Sequence, residues 1–248
     1  MKKISSCLAV IILTVSAFST TQEGIAEENT EVFPKQSETK SDLTFEAGEG
    51  PNKPVDPESP DPTEPVEPKN PPGPGTSGAL SIDYGSPLMF GSQHILPTDQ
   101  TYYAYPDEME GDSQKPTYVQ VTDKRGTLAG WKLFVKQVTP FMTLAHEELV
   151  GAELSLTKAS IASNVDLKYQ PTIVEERVDL VVGEELPVVE AEPGTGLGTW
   201  VYRFGSNLSE NAEAVQLFVP GKSVKLAKVY KTDLIWSLQD TPQNNRLN

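Results

Sequence analysis

Ten of the chain's 21 prolines fall between Pro51 and Pro74. Proline fixes φ and lacks a backbone N–H, so this stretch forms neither helix nor central strand. Aspartate and glutamate alternate with the prolines, as in VDPESPDPTEPVEPKN. Such a segment has too little apolar surface to offset the entropy of ordering it. Residues 27–77 therefore read as a disordered, acidic, proline-rich spacer, extended as polyproline II at about 3.1 Å per residue and dispensable for folding. Regular structure is expected only after it.

Before the spacer the pattern is that of a secretory signal. Met1-Lys2-Lys3 supplies positive charge, and Leu8–Ala17 (LAVIILTVSA) is a short apolar run. Small and polar residues lead to Ala26, which places cleavage between Ala26 and Glu27. The run is about half the ~20 residues that a membrane span needs. The chain's one cysteine, Cys7, precedes the run, so it is not placed as a lipidation site. Cleavage removes it, and the mature protein is expected to have no disulfide and no cysteine nucleophile.

From Gly78 onward, short apolar–polar alternations are broken by glycine, proline and aspartate. Strands are expected at Tyr118–Thr122, Trp131–Val135, Ala152–Leu156, Thr199–Phe204, Val215–Val219 and Leu234–Leu238. Asp123-Lys124-Arg125-Gly126 reads as the turn of a hairpin joining the first two. Phe141–Leu149 alone has some helical character, but it is too short and mixed to read as a helix. The fold class is all-β, a single β-sandwich-like domain over residues 78–248.

Two Trp-x-Leu triplets fall in these strands. Side chains at i and i+2 share a strand face. Trp131 therefore points with Leu133 and Val135, and Trp236 points with Leu234 and Leu238. On that basis both tryptophans read as core residues. An exposed ring stacking on sugars, or part of a protein-binding face, is the alternative.

In their longer contexts the triplets resemble the WxL-domain cell-surface proteins of Gram-positive bacteria. The resemblance is carried by VTDKRGTLAGWKLFV (121–135), LVGAELSL (149–156), GTGLGTWVYRFG (194–205) and VQLFVPGKSVKLAKVYKTDLIWSLQDTP (215–242). Ile235 is a mild departure, since threonine is common before the second tryptophan in such proteins. The resemblance implies non-covalent attachment to the cell wall, through peptidoglycan. It also implies partnership with other WxL-system surface proteins and a membrane-anchored partner. Trp131, Leu133, Trp236 and Leu238 are then the motif residues, in a binding or a structural role.

The remaining chemistry is sparse. The formal net charge is −15, from 35 acidic and 20 basic residues, which disfavours a nucleic-acid partner. His146-Glu147-Glu148 begins like a zinc-peptidase HExxH, but residue 150 is valine. No GxSxG, P-loop or EF-hand loop occurs. Glu175-Glu176 and Glu184-Glu185 read as solvated charges rather than a glycosidase pair. Leu96-Pro97-Thr98-Asp99 lacks the glycine of a sortase signal. The expectation is a surface protein with no catalytic site, no metal and no cofactor.

Overall fold

The computed structural model describes residues 37–70, 73 and 75–240. The expected signal and its cleavage at Ala26–Glu27 lie outside the described residues. Residues 37–43 carry no regular structure and are exposed. The second compact unit begins at Thr44, and all strands belong to it.

Among the described residues, fourteen strands follow in chain order. They are β1 (Leu80–Gly85), β2 (Gln100–Tyr103), β3 (Asp107–Glu108), β4 (Gln114–Lys115), β5 (Tyr118–Asp123), β6 (Trp131–Gln137) and β7 (Glu153–Leu156). Then come β8 (Ala159–Ala162), β9 (Ile173–Val174), β10 (Val178–Asp179), β11 (Glu185–Ala191), β12 (Gly198–Phe204), β13 (Val215–Val219) and β14 (Leu234–Asp240). A single helical turn, α1 (Leu208–Asn211), precedes β13. The domain is all-β, and each of the six expected strands is present within a few residues.

The strands form three four-stranded antiparallel sheets, ordered β1-β5-β12-β8, β10-β7-β13-β2 and β14-β6-β11-β9, with β3-β4 as a small ribbon. One hydrophobic core takes residues from all three: Val119 and Phe204 from the first, Leu156 and Val215 from the second, Leu133 and Val189 from the third. The layering is thus sandwich-like, with three sheets around a shared core.

One expectation changes here. The proposed hairpin does not form, because β5 and β6 lie in different sheets. Arg125 holds the connection instead, donating to both carboxylate oxygens of Asp123 and to the Gly130 carbonyl. Phe141–Leu149 is not helical. Met142 forms bridges to Glu148 and Lys231, folding the segment back on itself.

The proline-rich segment also departs from its simple reading. Residues from Thr44 onward belong to the packed unit, and part of this stretch covers the outer face of the first sheet. Every residue of β5 is buried. Val119 and Val121 point into the main core. Tyr118 points the other way, into a second small core with Val55, Tyr84, Met109 and Val201, flanked by Val66. Gln120 Oε1 accepts from the Val55 backbone N–H at 2.8 Å, and its Nε2 donates to the Lys53 carbonyl at 3.1 Å.

A bulge in β1 between Ile82 and Tyr84 turns Asp83 to the same side. Its buried carboxylate accepts from Asn52, Ser81, Gln120 and Thr122. The segment's own charges are matched as well. Lys115 pairs with Asp56 and Glu58 at 2.6 and 2.9 Å. Arg203 donates to the Pro57 carbonyl at 2.7 Å. Prolines lack donors but keep their carbonyls, and neighbouring strands supply the donors. The packed domain therefore begins well before Gly78.

Candidate functional site

The two Trp-x-Leu triplets meet on adjacent strands. In the β6–β14 pair, Leu133 is opposite Leu238, Trp131 is opposite Asp240, and Val135 is opposite Trp236. Antiparallel pairing centred on the leucines sends the two indoles to opposite ends of one inward face. The triplets do not form a joint aromatic surface.

Trp131 is 1% exposed and Leu133 fully buried. The Trp131 indole N–H donates to the Gly196 carbonyl at 2.9 Å, which satisfies the one polar group the ring carries. Gly196 has φ +78°, and a Cβ there would lie 2.4 Å from the indole nitrogen. Glycine is required at this position on both counts. Trp236 and Leu238 are half-buried, packed against the main core from the edge strand. The Trp236 ring stacks near Phe204 of β12, centroids 6.4 Å apart. It therefore joins the third sheet to the first.

An ionic clamp locks the end of this strand pair. Arg125 bonds Asp123, whose side chain is 1% exposed, and also reaches Asp240 at the end of β14. Hydrogen bonds donated to Asp123 hold the Arg125 guanidinium above its ordinary pKa, with Asp240 adding to the effect. Sequence reading took residues 123–126 as turn material and missed this role.

His94 and His146 are both exposed. Glu147 is held by Lys228 and Thr143, which lower its pKa. Glu175-Glu176 and Glu184-Glu185 are exposed. Among the described residues no group of three or more His, Cys, Asp or Glu side chains is arranged to hold a metal.

These features define an all-β domain whose paired Trp-x-Leu strands serve the core. The family model for the WxL domain, a surface cell wall-binding domain, matches residues 32–242. The chain belongs to the WxL family. The match begins within the proline-rich segment, in keeping with the packing of that segment on the first sheet. No curated protein and no solved structure matches the chain.

Proposed function

We propose that this protein is a secreted, non-catalytic surface protein that binds peptidoglycan without a covalent bond. The observation that carries the reading is the WxL match across residues 32–242, which takes in every described residue. The charge supports peptidoglycan over anionic wall polymers, because a chain of net charge −15 repels a polyanion. Trp131 and Leu133 contribute through the fold rather than by direct contact, since both are buried. The test is co-sedimentation of the purified chain with walls stripped of protein, repeated after secondary polymers are removed. Equal sedimentation in both supports peptidoglycan. Loss in the second assigns the binding to a secondary polymer. Dye release from labelled wall would contradict the non-catalytic part.

A second reading is docking onto other WxL-system proteins and a membrane-anchored surface partner. It is favoured by two loops tied through reciprocal Met142–Lys231 backbone bonds and a Glu147–Lys228 ion pair. These loops expose Leu144, Val150, Val224 and Val229. Exposed apolar side chains grouped in this way are typical of protein contacts. Charged substitutions at Leu144 and Val229 that remove partner capture but leave wall sedimentation intact would assign the loops to docking.

A further inference from the structure

The three sheets have outer faces of different character. That of β1-β5-β12-β8 is covered by the chain's own proline-rich segment. That of β14-β6-β11-β9 carries charges, including the Lys132–Glu190 ion pair at 2.7 Å. The β2 end of β10-β7-β13-β2 is open and uncharged. Along β2 and its extension, Tyr102 and Ala104 turn inward while Thr101, Tyr103 and Tyr105 turn outward. Tyr103 is 40% and Tyr105 54% exposed.

Beside them on β13, Gln216 pairs with Tyr103 and Phe218 with Thr101, so these side chains share the outer face. A shallow depression lies here, lined by Gln93, Thr101, Tyr103, Tyr105 and Ala212 among others. Tyr105 is held in place from below. Its backbone N–H donates to the Met89 carbonyl at 2.7 Å. Its ring lies against Gly91, where a Cβ would come within 2.4 Å of the phenol oxygen. An exposed ring fixed in this way loses little entropy when a ligand covers it.

We propose that Tyr103 and Tyr105, with the Gln93 side-chain oxygen, form the subsite for the neutral glycan strand of the wall. This deepens the peptidoglycan reading and rests on it. Sugar rings present C–H faces that stack on aromatic rings, and their hydroxyl and acetamido groups match amides and phenols. The uncharged lining within an acidic protein favours a neutral polysaccharide over a phosphate polymer.

The experiment measures binding of the purified chain to stripped walls and to soluble, uncharged N-acetylglucosamine oligosaccharides. Single Tyr103→Ala and Tyr105→Ala variants are compared with Tyr103→Phe and Tyr105→Phe, with a thermal melt on each. Each alanine variant is expected to melt like the parent and to bind both ligands about tenfold more weakly. Each phenylalanine variant keeps the ring and is expected to bind within about threefold of the parent. If the parent binds walls and the folded alanine variants bind equally well, the subsite is overturned while the wall reading stands. Failure of the parent to bind stripped walls overturns both. Binding to walls but not to the N-acetylglucosamine oligosaccharides moves the contact off the neutral sugars and also overturns the subsite.

Discussion

Leu133 sits directly opposite Leu238 across the β6–β14 pair. That register makes the two halves of the family motif one structural unit, although they lie far apart in sequence. It also gives the two tryptophans unequal burial, because β6 is internal to its sheet and β14 is an edge. Trp131→Ala should cost about 3–5 kcal/mol. Trp236→Ala should cost less, about 1–2 kcal/mol, since the ring is half-buried. Denaturant melts of the two variants test the ranking. Equal losses would contradict it.

Val55 connects the proline-rich segment to the first sheet through both its side chain and its backbone N–H. Val55→Ala should cost about 1–2 kcal/mol, a shift of a few degrees in Tm. Deleting residues 44–70 should lower Tm further, because it exposes Tyr118 and strips donors from Asp83. A thermal melt unchanged by the deletion would restore the view of a dispensable spacer.

This segment shows where sequence reading stops. The six expected strands alternate clearly, and most of their apolar positions enter the core, although Phe218 and Ile235 turn outward. The segment around Val55 has no periodicity. It is held by the Lys53 and Pro57 carbonyls, by Val55 and Val66, and by donors from strands far along the chain, none of which leaves a local pattern. β11 was missed for a related reason. Its Pro187 argues against a central strand, yet it sits at a bulge where the ladder is already interrupted. The Trp-x-Leu triplets were legible as core positions from their i, i+2 partners. Their pairing with each other was not, because register between distant strands is set by the whole sheet. The tyrosines of β2 escaped notice because an exposed edge strand lacks the apolar alternation used to find strands.

Asp107 gives the domain a pH-dependent element. Its carboxylate accepts from Tyr84 and from Ser86 Oγ. Burial nevertheless raises its pKa, with those hydrogen bonds working against the rise. A carboxyl group with a raised folded pKa binds protons more readily in the folded state. Its contribution is fully present below the unfolded pKa of about 3.9 and is lost as pH rises through the folded value. Asp107→Asn should therefore compare less favourably with the parent as pH falls from neutral toward 4. Urea melts of both proteins across that range measure the difference. A gap that stays constant, or narrows on acidification, would contradict the raised pKa.

Arg125 separates a buried ion pair from an exposed one within a single side chain. Its partner Asp123 has a side chain 1% exposed, whereas that of Asp240 is 61% exposed. Exposed pairs contribute about 0–1 kcal/mol, so Asp240→Ala should change stability little. Removing one member of a buried pair leaves the other charge uncompensated, at a cost of about 3–5 kcal/mol. Arg125→Ala should approach that range, because it strands Asp123 and also frees the Gly130 carbonyl. Combining Arg125→Met with Asp123→Leu removes both charges and should recover part of the loss. The Gly130 carbonyl would still lack its donor, so recovery should be incomplete. Chemical melts of the three variants read this out. Equal effects of Asp240→Ala and Arg125→Ala would show that the clamp works through the end of β14 instead. In that case its role would be to hold the edge strand in register rather than to satisfy a buried carboxylate.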